Sequence, residues 1–198
     1  MKTMTFLLSF LLAACASAGT MDLGQATYEV KFGVRGEKMT LKEVGVMRSQ
    51  PNEDKDTFMI RVGTFMNGWT EKNRMEICSV IYQKGNQYAV VPTTSHSQIG
   101  CLMPERAPEG FVATRESIHS HPLVDRQTMT KADTMFNRGT GDYHANRGEV
   151  RDYAPERFSE TDIETGAGYL VAKGVVYYQD IAEKGQKSLR TVGNVLSF

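Results

Sequence analysis

The chain has 198 residues, with 23 Lys and Arg against 23 Asp and Glu and 40% hydrophobic residues. Balanced charge excludes a broad pull toward nucleic acid, and the composition excludes wholesale disorder. Past the N-terminus no apolar run is long enough to span a bilayer, and the length suits one domain with a small extension.

Lys2 followed by the apolar stretch from Phe6 to Ala14 reads as a secretory signal peptide over residues 1–14. Leu12-Ala13-Ala14-Cys15 resembles the lipobox of bacterial lipoproteins. That resemblance implies a diacylated Cys15 and a lipid anchor holding the protein in the cell envelope, facing the periplasm. Cleavage after Ala16 or Ala18, giving a secreted protein, is the alternative. The small and polar residues up to 26 then read as a lipidated tether over 15–26, followed by a single domain over 27–198. Cys78 and Cys101 form an even pair in an oxidising compartment, which points to a disulfide, with two buried free thiols as the alternative.

Tyr28, Val30, Phe32 and Val34 alternate, as do Met39 and Leu41, with a turn at Arg35-Gly36-Glu37. This predicts an N-terminal hairpin within 27–50. Phe58, Val62, Phe65, Met66 and Trp69 recur at helical spacing and predict a long helix over about 54–74, with that stripe as core. Ile77–Tyr82 and Tyr88–Val91 flank Lys84-Gly85-Asn86 as a second hairpin. Gly168–Ala172 and Val175–Tyr178 flank Lys173-Gly174 as a third. The stretch 93–108 reads as a polar loop, and 112–119 as a strand. Residues 122–158 are polar, carry three glycines and six charges of each sign, and read as an inserted loop or lid. Ser159, with Asp162 three positions on, reads as the N-cap of a short helix. The sum is an α+β fold: a mixed sheet, a long helix packed on it and a short helix after the insertion.

His119-Ser120-His121 sits at a strand end before Pro122, and residues i and i+2 of a strand share a face, so the pair could hold one metal ion. Asp162 offers a third ligand from the first turn of a helix. Glu76, where the long helix gives way to the next strand, could sit beside a metal-bound water. His96 reads as solvated; His144, in the insertion, reads the same way, with an approach to the metal or substrate as the alternative.

Glu76, then His119-Ser120-His121-Pro122, then Ser159-x-x-Asp162 together resemble the JAMM (MPN+/JAB) zinc metalloprotease family over about residues 55–180. The residues between His121 and Ser159 replace the family's short spacer. The resemblance implies a JAB/MPN-like, cytidine-deaminase-like sheet and one Zn²⁺ per chain on His119, His121 and Asp162. It also implies Glu76 as proton carrier and Ser159 as oxyanion donor. The implied activity is hydrolysis of a peptide or isopeptide bond in a peptide or protein substrate. A cell-wall peptide amidase or endopeptidase, and a non-catalytic binding lipoprotein on the same fold, are the alternatives.

Overall fold

The computed structural model describes residues 21–22, 26–144, 146–153, 155, 158–159, 162, 166–180 and 188–195. The leader, Cys15 and most of the expected tether lie outside the described residues. Two residues of that tether, Met21 and Asp22, are instead a short strand, β1, paired with Met47 and Val46.

The long helix is α1 (Lys55–Asn73). Asp54 caps it by accepting from the Thr57 N–H at 3.0 Å, and the left-handed Arg74 closes it with an N–H to Thr70 O at 2.7 Å. Phe58, Met59, Val62 and Met66 are fully buried, each contributing roughly 1.5–3 kcal/mol by burial. Phe65 and Trp69 flank that stripe, half-buried against the same core. Gly63 lets the helix approach the sheet, since a Cβ there would meet the Val176 side chain at 2.6 Å.

The sheet beneath α1 is mixed. Its remaining strands are β2 (Thr27–Phe32), β3 (Glu37–Glu43), β4 (Val46–Arg48), β5 (Cys78–Lys84), β6 (Gln87–Val90), β7 (Thr93–Thr94), β8 (Val112–Ser120), β11 (Gly168–Ala172), β12 (Val175–Asp180) and β13 (Ser188–Asn194). Outward from β5 run β8, β11, β12 and β13 on one side and β6 with β7 on the other. The interruptions between β3 and β4 at Val44-Gly45 and between β6 and β7 at Val91-Pro92 face each other, and the Val44 N–H bonds Pro92 O at 2.8 Å across them. So β3 and β4 run on beside β7 and β6 as one bent ladder.

The first hairpin turns at residues 33–36 rather than 35–37, which leaves Val34 97% exposed at the tip instead of inside a strand. Glycine with positive φ at both Gly33 and Gly36 outweighs the alternation that placed Val34 in the ladder. Strand β13, which the hydropathy pattern did not single out, adds the outer edge beside β12.

The one parallel pair among the described strands is β8 with β11. Parallel neighbours need a crossover, and residues 122–158 belong to it. This inserted segment, expected as a loop or lid, carries regular structure that its composition did not suggest. It holds a two-stranded ladder, β9 (Arg126–Thr128) with β10 (Val150–Asp152), and a helix, α2 (Lys131–Thr140). A capping box starts α2: Thr130 Oγ1 accepts from the Asp133 N–H, and the Asp133 carboxylate accepts from the Thr130 N–H. The polar composition misled because its charges are matched locally: Arg151 pairs with Asp142 at 2.8 Å and with Glu149 at 2.9 Å. Helix α2 docks on the first hairpin, with Phe136 5.9 Å from Phe32 and Gly139 so close to the Phe32 ring that a side chain there would overlap it.

Candidate metal centre

Alternation along β8 sorts its side chains. Ile118 joins the core under α1, and Ser120 Oγ lies 2.6 Å from Thr70 Oγ1 of that helix. His119 and His121 therefore point to the opposite face. Cys78 pairs with His119 across the β5–β8 ladder and shares its face, and Glu76 lies two residues before Cys78. The His121 N–H bonds Val171 O at 2.9 Å, which carries the β8–β11 ladder one residue further and fixes the second histidine.

The crossover brings Asp162 to this face, so three of the expected ligands meet. The ligand atoms of His119, His121 and Asp162 all lie within 4.8 Å of one another. His119 Nε2 is 3.5 Å from Asp162 Oδ2, close to the roughly 3.3 Å between two tetrahedral ligand atoms each held about 2.0–2.1 Å from zinc. His119 Nε2 is buried and makes no hydrogen bond with any described residue. A buried ring nitrogen left without a partner calls for an explanation, and a cation shared with Asp162 supplies one. The donor set of two imidazoles and one carboxylate could hold a metal ion.

The histidines are held in the form a metal needs. Burial pushes His119 down from its usual range against the pull of Asp162. Burial, and then the neighbouring His119, take His121 down to about 3. Both are neutral near pH 7, with a lone pair free for a cation. The His121 Nδ1–H donates to Pro155 O at 2.8 Å, which turns Nε2 toward the cavity. Burial works to raise the Asp162 carboxyl, but His119 and two hydrogen bonds from Ser159 outweigh it and hold it below the usual range. Those bonds come from the Ser159 hydroxyl and the Ser159 N–H, both at 2.7 Å from Oδ2. The Asp162 N–H returns a bond to Ser159 Oγ at 3.2 Å, the reciprocal pattern of a capping box, while the rest of the short helix expected there lies outside the described residues.

Glu76 is 3% exposed, and its backbone is pinned by the N–H bond to Ser97 O at 2.9 Å and by Thr94 Oγ1 donating to its carbonyl at 3.0 Å. Its Oε1 is 3.7 Å from His121 Nε2 and accepts from the Tyr153 hydroxyl at 2.7 Å. Burial raises the Glu76 carboxyl well above the usual range, the Tyr153 bond opposes this, and the Asp162 charge adds to it. Burial and then the Glu76 charge push the Tyr153 phenol upward, so it stays a donor.

These groups line a cavity of about 620 Å³ whose far wall is apolar, made by Ile99, Leu102 and Met103 of the 97–103 loop and by Phe136 of α2. Cys101 lies in that wall and is joined to Cys78, Cα to Cα 6.0 Å, so the disulfide ties the wall to the strand beside His119. His96 and His144 are exposed and take no part.

The sequence did not single out Tyr153, the Pro155 carbonyl or the apolar wall. The pattern of Ser159-x-x-Asp162 also occurs at Thr130-x-x-Asp133, nearer to His121 in the chain. The Asp133 carboxylate, however, is fully buried and taken up by Ser97 Oγ at 2.7 Å, the Gln98 N–H at 2.7 Å and the Thr130 N–H at 2.7 Å. It is a structural bracket between α2 and the 97–103 loop, and Asp162 is the one that reaches the histidines.

No family model, no curated protein and no solved structure matches the chain. No helix among the described residues is long and apolar enough to cross a membrane.

Proposed function

We propose that the protein is a JAMM-like zinc hydrolase of peptide or isopeptide bonds, working in the bacterial cell envelope as a lipid-anchored protein. The observation that carries this reading is the buried, unbonded His119 Nε2 facing Asp162, with the buried carboxyl of Glu76 beside His121 in the same cavity.

His119, His121 and Asp162 would hold the ion. When bound, zinc supplies a Lewis-acid centre at which water becomes acidic enough to attack near neutral pH. Glu76 takes the proton of the attacking water at a carboxylate oxygen and delivers it to the leaving amine. The low-dielectric site that makes the Glu76 carboxyl a good proton holder is set by its burial. Ser159 Oγ, which borders the cavity, turns from Asp162 toward the carbonyl oxygen as it gains charge. The apolar wall of Leu102, Met103 and Phe136 favours a substrate with an apolar side chain next to the scissile amide.

Two measurements test this. Protein purified without added metal should carry one zinc per chain. Glu76→Gln should keep that zinc while hydrolysis falls on the order of 10²–10⁴-fold. Protein that never takes up a stoichiometric metal ion would return the reading to a binding lipoprotein. Digestion of purified sacculi beside a panel of protein substrates separates cell-wall cross-links from protein as the target.

A further inference from the structure

The metal centre proposed above holds two carboxylates near its histidines, and only one of them is assigned as a ligand. Glu76 Oε1 is 3.7 Å from His121 Nε2, against 3.5 Å between Asp162 Oδ2 and His119 Nε2. Measured to the nearest histidine the two are alike, although Asp162, and not Glu76, has its carboxylate within 4.8 Å of both histidine nitrogens. A carboxylate beside His121 that swung toward an ion held on the histidines would coordinate it and fill the position that water needs.

What differs is the partner on the oxygen. The Oε1 that faces His121 is the atom that receives the Tyr153 hydroxyl at 2.7 Å. A phenol donating to a buried carboxylate makes a strong, directional bond, and it holds the side chain in one rotamer on top of a backbone already pinned at Ser97 and Thr94. Tyr153 is itself fixed. Its N–H bonds Asp125 O at 2.8 Å, it follows directly on the β9–β10 ladder, and its ring lies 5.4 Å from that of His121. Two residues on, Pro155 O takes the His121 Nδ1–H. One short stretch of the crossover thus presents the His121 nitrogen to the cavity and ties back the Glu76 oxygen.

We propose that Tyr153 is a positioning residue that keeps Glu76 out of the coordination shell, so that Asp162 alone supplies the carboxylate ligand and Glu76 remains a base. This rests on the metal-centre reading. Its test uses cobalt as the probe, because the visible spectrum of Co²⁺ reports coordination number without any substrate.

Wild-type protein loaded with one Co²⁺ should show the intense bands of a four-coordinate ion. Tyr153→Phe, which removes one oxygen atom and nothing else, should shift to the weaker bands of five-coordination and bind Co²⁺ more tightly. Hydrolysis should fall by about 10–100-fold, as for other outer-shell changes. In a Glu76→Gln background the shift should vanish, since the neutral amide does not compete for the ion. A Tyr153→Phe spectrum identical to wild type, or a shift that persists without the Glu76 carboxylate, overturns the proposal. Glu76→Gln alone gives a test that does not depend on the folding of Tyr153→Phe. Its Co²⁺ spectrum should match wild type, and a change would place Glu76 on the metal despite Tyr153. Failure of wild type to bind one Co²⁺ per chain is a distinct result, which removes the metal centre itself and this inference with it.

Discussion

Strand β8 carries two clusters of polar side chains, three residues apart and on opposite faces. Under α1, Glu116 pairs with Lys55 and accepts from the Tyr178 hydroxyl at 2.9 Å. Close by, Asp56 accepts from the Tyr169 hydroxyl at 2.8 Å and meets Arg190 at 2.8 Å. Each of these four charged groups has an opposite charge as partner. On the other face, His119 Nε2 is left unbonded beside a cavity, with Asp162 and His121 clustered around it and the Glu76 carboxylate beside His121. The first cluster is partly exposed and sets Lys55 and Arg190 against its carboxylates, whereas the second is more buried and sets neutral histidines beside its own. They also differ in completeness. A cluster that satisfies itself holds elements together, whereas one that leaves a buried nitrogen open keeps a valence that a metal ion could fill.

The largest effect that could break this contrast is at the histidine. His119→Ala should abolish metal uptake and hydrolysis together, because two protein ligands do not retain zinc in a catalytic site. The same substitution should cost the metal-free protein little stability, since it removes a group whose polar atom was unmatched. Metal content and thermal unfolding, measured side by side with and without chelator, check both halves. A large loss of stability in the metal-free state would mean that His119 is a core residue and that the two clusters are alike.

A second effect probes how the open cluster is walled. Replacing both Cys78 and Cys101 with Ser should lower stability by about 2–4 kcal/mol and free the 97–103 loop, which forms the apolar wall. Metal stoichiometry should survive, because neither sulfur is a ligand. Urea unfolding should show the lower midpoint. Loss of zinc in that variant would show that the bridge sets the position of His119 through the β5–β8 ladder.

Much of this was legible in the residues, and the reasons are local. The α1 stripe, the hairpin turns at Gly85 and Lys173-Gly174, and the i and i+2 placement of the His pair follow from periodicity and turn chemistry, which neighbouring residues decide. The Cys78–Cys101 pair was legible by count. The crossover was not. Its helix starts at a Thr130-x-x-Asp133 box that matches the one at Ser159, and only burial tells a bracket from a ligand. Tyr153 reaches Glu76 across 77 positions of sequence, and no local signal marks an aromatic whose hydroxyl will find a distant carboxylate. The turn of the first hairpin begins at 33 and not 35 because glycines with positive φ stand at both 33 and 36, which alternation alone does not register.

The smallest effect sharpens the satisfied side. The Asp56 carboxyl is held below the usual carboxylate range, first by its hydrogen bond with Arg190, against the opposing effect of burial, with the Tyr169 bond adding to the lowering. A carboxyl depressed in the folded state binds fewer protons there than in the unfolded chain. Its contribution is therefore complete above the unfolded value of about 4 and is lost as pH falls through the folded value. Asp56→Asn should make the protein less stable near pH 7. The side chain is 35% exposed and Arg190 49%, so solvent screens the pair and the difference should be about 1 kcal/mol or less. Unfolding curves of the two proteins should converge as the pH falls from about 4 through the lower folded value of Asp56, where the wild-type carboxyl also becomes neutral. Asp56 stands in the first turn of α1, where a negative charge also favours the helix N-terminus, and that contribution disappears over the same pH window. A gap that stayed constant down to pH 3 would assign the effect to the uncharged contacts with Tyr169, leaving the charge of Asp56 without weight in the cluster.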